Sequence, residues 1–199
     1  VKGRIARTVK NSQGWVTTSV RDVNGQAATV TYDYDAIGNL TSTTAAGVTT
    51  TLSYDNRGRK TGMVDPDMRT WSYSYNAFGE LTSQTDAKSQ TTSMSYDALG
   101  RMTSRVEPEG TTTWTYDSAV NGKGKLASVS APGGYSESYT YDSQGRPTAV
   151  TLTIDSSSYT IGQTYDTYSR PQKTVYPTGF QKKNVYNPFG FVKEVRRAD

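Results

Sequence analysis

The sequence predicts an all-β chain, built of tandem antiparallel β-hairpins laid side by side in one long sheet that curls or spirals. Three observations predict it. Tyr followed by Asp or Asn returns eight times at near-constant spacing. Apolar and hydroxyl side chains alternate with period two through the segments between these pairs, the mark of a sheet with one buried face. No long window carries the 3.6-residue period of an amphipathic helix.

The pairs are Tyr34-Asp35, Tyr54-Asp55, Tyr75-Asn76, Tyr96-Asp97, Tyr116-Asp117, Tyr141-Asp142, Tyr165-Asp166 and Tyr186-Asn187, with Tyr-to-Tyr spacings of 20, 21, 21, 20, 25, 24 and 21. A fixed period of this length is the signature of a repeat architecture. Gly stands four residues after the Tyr in six copies, as Gly38, Gly58, Gly79, Gly100, Gly145 and Gly190. The fifth copy inserts Ser118 to Lys123 before Gly124, and the seventh places Ser169 in the Gly slot. The pattern is a turn. Asp or Asn bonds its side chain to a backbone N–H two residues on, and Gly takes the positive φ that closes the loop.

Each unit then reads as strand, turn, strand. Leu81 to Thr85 is a strand, Asp86 to Gln90 a turn and Thr91 to Tyr96 a second strand. Other inter-strand turns are Asp65-Pro66-Asp67, Glu107-Pro108-Glu109-Gly110 and Ala131-Pro132-Gly133-Gly134. Within strands, Trp71, Tyr73 and Tyr75 oppose Ser72 and Ser74. Trp114 and Tyr116 oppose Thr113 and Thr115, and Tyr139 and Tyr141 oppose Ser138 and Thr140. One face is therefore aromatic and the other small hydroxyl.

Residues 1–33 read as degenerate repeats. Gly3-Arg4-Ile5-Ala6 resembles a post-Gly strand, and Val16 to Val20 and Ala28 to Tyr34 are strands around a turn at Arg21 to Gln26. Residues 34–193 are regular repeats of about 21 residues. Phe191 to Asp199 opens a further unit. The expectation is a single array over residues 1–199, cut from a longer chain at both ends, since Val1 carries neither Met nor signal segment and no cap is visible.

Composition narrows the function. Only 33% of residues are hydrophobic while Thr, Ser, Gly and Tyr dominate, so stability must come from repetition rather than a thick core. There is no Cys to staple the fold. There is no His, which removes the commonest general base and metal ligand and rules out a Ser-His-Asp triad. No run of about 18 apolar residues offers a membrane-spanning helix. The net charge of +4 is too modest to demand nucleic acid, which is not the expected partner.

The pattern Tyr-Asp-x-x-Gly-Arg/Asn-Leu/Met-Thr, as in Tyr34 to Thr41 and Tyr96 to Thr103, resembles the RHS or YD repeat of bacterial RHS polymorphic toxins, Tc toxin C subunits, wall-associated proteins and teneurins. The likeness runs from about Gly3 to Lys193. It implies a segment of a hollow β-shell that often encloses a C-terminal toxic domain. It also implies a core-associated motif with acidic residues for self-cleavage. That motif is not found: Asn187-Pro188-Phe189-Gly190 is an ordinary repeat turn.

The repeat residues are accordingly expected to be structural, with no catalytic residue, cofactor or metal. Asp33 with Asp35, and Asp65 with Asp67, fit turn bonding better than Ca²⁺ ligation. Gly122-Lys123-Gly124 lacks the strand-to-helix setting of a phosphate loop. Basic residues gather at expected turns, in Arg57-Arg59-Lys60 and Lys182-Lys183, and near the end in Arg196-Arg197. The expected role is a non-enzymatic scaffold, secreted or on a bacterial surface, that encapsulates or presents an effector. Its expected partners are neighbouring repeats of a longer chain and an enclosed effector domain. The alternatives are carbohydrate binding or adhesion to glycans through exposed Tyr and Arg, and a filament made of copies of the chain.

Overall fold

The computed structural model describes residues 5–23 and 25–198. Gly3 and Arg4, expected to open a strand, lie outside them. Among the described residues every regular element is a β-strand.

The chain divides into two compact units. The first, Val1–Met94, carries β1 (Ile5–Lys10), β2 (Val16–Val23), β3 (Gln26–Tyr34), β4 (Leu40–Ala45), β5 (Val48–Tyr54), β6 (Lys60–Asp65), β7 (Arg69–Tyr75), β8 (Leu81–Thr85) and the opening of β9 (Thr91–Tyr96). Each strand pairs antiparallel with the next. The second unit, Ser95–Asp199, carries β10 (Met102–Glu107), β11 (Gly110–Tyr116), β12 (Leu126–Ala131), β13 (Tyr135–Tyr141), β14 (Pro147–Ile154), β15 (Ser157–Tyr165), β16 (Pro171–Val175), β17 (Gln181–Tyr186) and β18 (Val192–Arg197). Its strands follow the same rule. Short turns leave no room for the long crossover that a parallel pair needs.

The turn expected at Arg21 to Gln26 is tighter than its sequence suggests, because β2 runs on to Val23 and β3 begins at Gln26. Val20↔Thr29 and Arg21↔Ala28 are ladder pairs, so backbone bonding continues through residues whose polarity reads as loop. At the β4–β5 and β14–β15 hairpins the two central residues both have positive φ: Ala46 and Gly47 at 50° and 80°, Asp155 and Ser156 at 47° and 66°. That is the turn whose twist matches paired strands.

A second regularity is absent from the period-two pattern. Register shifts at every repeat Tyr whose pairing is described: Ser74 faces Ser83 but Tyr75 faces Leu81, leaving Thr82 bulged. The same step occurs at Tyr34, Tyr54, Tyr116, Tyr141, Tyr165 and Tyr186, and at Lys10. A bulge gives the post-turn strand one extra residue and added twist. Burial follows. Pre-turn strands alternate, with Trp71, Tyr73 and Tyr75 half-buried and Ser72 and Ser74 exposed, whereas post-turn β8 is half-buried throughout.

The expected buried face is only half-buried. Strand contacts are between chain neighbours, so each unit is a single layer, and among the described residues only Thr112, Gly122, Ala127 and Val129 are buried. Stability in such a layer rests on the backbone ladder and on cross-strand side-chain pairs.

Candidate functional site

The repeat turn is the recurring constellation of this chain. In the copy at Asp97, the Asp97 N–H donates to the Arg101 carbonyl at 2.9 Å and the Gly100 N–H to the Asp97 carbonyl at 3.0 Å. One carboxylate oxygen accepts the N–H groups of Leu99 (2.9 Å) and Arg101 (3.0 Å). The other accepts Nε of Arg101 at 2.7 Å and pairs with its guanidinium at 2.7 Å. Gly79 and Gly100 have φ of 93° and 76°, a region that costs a side chain energy.

Asp55, Asp142 and Asp166 repeat both halves of this geometry with Arg59, Arg146 and Arg170. Asp35 does so with Asn39 in place of Arg. Asn76 uses its amide toward Glu80, and Asn187 keeps the two backbone bonds. Gly38, Gly58, Gly145 and Gly190 all have positive φ, and Ser169 is forced to 63°. The inserted fifth copy departs: Asp117 itself has φ of 67°, and its N–H reaches the Lys125 carbonyl at 3.0 Å around the longer loop, with Gly124 at 75°.

These bonds lower the carboxyl pKa values. For Asp55 and Asp97 the largest cause is the N–H of Arg59 and Arg101, opposed by partial desolvation and helped by the guanidinium. For Asp142 the guanidinium of Arg146 leads. For Asp166 desolvation is the largest influence and pushes upward, but the bonds from Arg170 outweigh it.

Where the residue five after the Tyr is Arg, at Arg59, Arg101, Arg146 and Arg170, it also reaches the next unit; Asn39, Glu80 and Phe191 fill that slot without a cation. The cation lies over the next repeat Tyr, with guanidinium-to-centroid distances of 4.8 Å for Arg59–Tyr75, 4.3 Å for Arg101–Tyr116, 4.4 Å for Arg146–Tyr165 and 4.1 Å for Arg170–Tyr186. Lys125 sits 5.8 Å from the Tyr141 centroid. All fall in the range where a ring attracts a cation. The Tyr hydroxyl closes the link by donating to the carbonyl of the residue after that cation: Tyr75 to Lys60 at 2.9 Å, Tyr141 to Leu126 at 2.6 Å, Tyr165 to Pro147 at 2.8 Å and Tyr186 to Pro171 at 2.7 Å. Arg101 additionally pairs with Asp117 at 2.6 Å. Tyr54 and Tyr96 stand half-buried at the same place in their strands.

Counting Tyr-Asp pairs misses a further copy. Asn11 to Trp15 makes the same turn, with Asn11 Oδ1 accepting from Gln13 and Trp15 and Gly14 at φ 86°. Trp15 occupies the cation slot, its ring 5.4 Å from that of Tyr34, and the Tyr34 hydroxyl donates to Val16 at 2.9 Å. Lys10 stands in the Tyr slot. Asn11 with Gly14 is the signal, hidden by the missing Tyr. The turn geometry also appears between β8 and β9, at Asp86 to Gln90, and between β16 and β17, at Tyr176 to Phe180.

Two basic pairs are not turn residues. Lys182 and Lys183 lie in β17, and Arg196 and Arg197 in β18, because a single layer exposes both faces and mid-strand charges stay wet. Arg57 does lie in a turn and donates to the Ala77 carbonyl at 2.7 Å. Asp33 accepts from Ser42, and Asp65 from Thr50 and from the Asp67 and Met68 N–H groups. On β13, Glu137 accepts from both Tyr135 and Tyr139; burial first, then this bond, pushes the Tyr139 phenol up to about 12.

Sequence comparison with curated proteins gives no match. Among solved structures, the chain resembles part of the Photorhabdus luminescens Tc holotoxin pore at a TM-score of 0.78 and 12% identity, covering 97% of this chain and 11% of that one. It also resembles part of the TcdB2–TccC3 crystal structure at 0.79 and 13%, covering 97% and 12%. At such identity the likeness is one of fold, and the chain spans only a small share of either neighbour. The RHS Repeat family matches residues 34–70, 61–91, 75–112 and 120–153. These matches cover more than half of the sequence and contain five of the eight Tyr-Asp/Asn turns in full, so the chain belongs to the RHS repeat family.

Proposed function

We propose that this chain is a length of wall: a structural β-repeat scaffold within a longer, secreted or surface-displayed shell that encapsulates or presents an effector. In this reading residues 1–199 form one array, the repeat Tyr, Asp/Asn and Gly residues are structural, and the chain itself performs no catalysis.

The observation that carries the proposal is the clamp between successive units. At Asp55, Asp142 and Asp166 the carboxylate fixes its own Arg, that Arg lies over the next Tyr ring, and that Tyr donates to the carbonyl of the residue after the Arg. A wall one layer thick has little core, so unit-to-unit links of this kind resist peeling. The fold shared with Tc toxin structures supports the same reading.

The test uses the longer protein that contains this chain. Limited proteolysis should leave a segment outside the array protected while the array is folded. The segment should become cleavable when Arg146→Ala and Arg170→Ala loosen the wall. Equal cleavage in both states would refute encapsulation.

A further inference from the structure

We propose that Asn121–Gly122 is a site of spontaneous covalent modification. The asparagine cyclises onto the following nitrogen and ends as aspartate or isoaspartate, and the closed turn of the inserted fifth copy holds the reaction off until it opens. The insertion folds as two successive turns. The Gly122 N–H donates to the Ala119 carbonyl at 2.9 Å, and the Lys125 N–H to the Gly122 carbonyl at 3.0 Å. Asn121 takes the third place of the first turn with φ of 58°, which Gly and Asn tolerate best. Gly122 is buried, and a Cβ there would stand 2.9 Å from the Ala119 Cβ and 3.1 Å from the Tyr141 ring. The fold therefore favours Asn at one position and demands Gly at the next. Asn before Gly is the pair that cyclises most readily, because no side chain shields the attacking nitrogen.

The other turn asparagines are tied down. Asn11, Asn39, Asn76 and Asn187 use their side chains within their own turns, and Asn187 precedes Pro188, which has no N–H to react. Among the described residues, the Asn121 side chain is exposed and has no hydrogen-bond partner. Asn24, also followed by Gly, lies outside the described residues.

The chemistry needs only water and base. The Gly122 nitrogen gives up its proton and attacks Cγ of Asn121. An N–Cγ bond forms, the Cγ–Nδ2 bond breaks, and the amide nitrogen leaves as ammonia with the proton. Water then opens the succinimide. Addition at Cγ gives aspartate; addition at the main-chain carbonyl carbon gives isoaspartate, with the chain now running through the former side chain. In the closed turn the attacking N–H is engaged by Ala119, so cyclisation waits on local opening. Isoaspartate adds a backbone atom between Ala119 and Gly122. Gly122 is then displaced from Tyr141, the ring that Lys125 approaches to 5.8 Å.

The experiment is peptide mapping of the whole chain after incubation at mildly alkaline pH, in buffer and in denaturing urea. Mass spectrometry reads conversion of amide to acid at each asparagine, and isoaspartyl methyltransferase labelling reads the isoaspartate share. Asn121 should convert in both conditions, about tenfold or more slowly in the folded chain. In buffer it should outpace Asn11, Asn39 and Asn76. Tyr141→Leu, which uncovers Gly122, should speed Asn121 without speeding Asn11; the urea comparison stands whether or not that variant folds. No conversion at Asn121, a folded rate equal to the unfolded one, or equal rates at Asn121 and Asn39 in buffer would each overturn the proposal.

Discussion

The guanidinium of Arg146 lies 4.4 Å from the centroid of the Tyr165 ring, a contact between consecutive repeats. Arg146 is held there by Asp142, which takes its Nε at 2.7 Å, while the Tyr165 hydroxyl bonds to the Pro147 carbonyl beside it. If this contact links units, Arg146→Ala and Tyr165→Leu should be non-additive. Urea denaturation of both single variants and the double should show a coupling energy of about 0.5–1 kcal/mol. Additive losses would mean that ring and cation are merely neighbours.

The hydroxyl half of the clamp is separable from the ring. Tyr75→Phe keeps the ring beneath Arg59 but removes the donor to the Lys60 carbonyl. A loss of about 1 kcal/mol is expected, that of one hydrogen bond. An unchanged denaturation midpoint would assign the whole effect to the ring.

Backbone strain gives two predictions of opposite sign. Gly79 has φ of 93° and open space where a Cβ would stand, so Gly79→Val is penalised by conformation alone and should lose more than about 1 kcal/mol. Ser83→Val, in β8, should be nearly silent. Ser169→Gly, at φ 63°, should gain about 0.5–1 kcal/mol by relieving the same strain. Thermal melts of the three variants test this, and a stabilising Gly79→Val or a destabilising Ser169→Gly would contradict it.

Acid should unlatch the turns. The carboxyls of Asp55, Asp97, Asp142 and Asp166 lie below the ordinary 3.8 in the folded chain. As pH falls, the unfolded chain takes up these protons first. The stabilisation is therefore complete above the unfolded value and is lost as pH drops through the folded one. Denaturation midpoints should be flat from about pH 7 to about pH 5 and fall below about pH 4. With no His in the chain, a transition centred near pH 6 would contradict the account.

The parts of this fold that were legible in the sequence are those whose chemistry is local. Tyr-Asp-x-x-Gly announces its turn because Asp35 or Asp97 bonds within four residues and Gly38 or Gly100 supplies the φ there. The bounds of β8 and β9 follow from the alternation that flanks Asp86 to Gln90. The bulge at Thr82 and its counterparts is invisible, since it is a relation between two strands. So is the reach of Arg59 to Tyr75, which exists only once register is set. Lys182 and Lys183 mislead because charge is a sound loop signal in proteins with a thick core, and a single layer has none. The turn at Asn11 was hidden because Lys10 and Trp15 replace the two residues that mark the others.

Native-state amide hydrogen exchange, resolved by residue, tests the central claim most directly: equivalent turns, each locked by its own Asp or Asn, make this chain a regular array. The N–H groups of Asn39, Arg59, Glu80, Arg101, Arg146, Arg170 and Phe191 all donate to the side-chain oxygen of the repeat Asp or Asn. They should form a series of protected amides at the repeat spacing, flanked by fast-exchanging residues such as Ala36, Ala77 and Ala98. Protection confined to one stretch, with the other turns exchanging freely, would contradict the account.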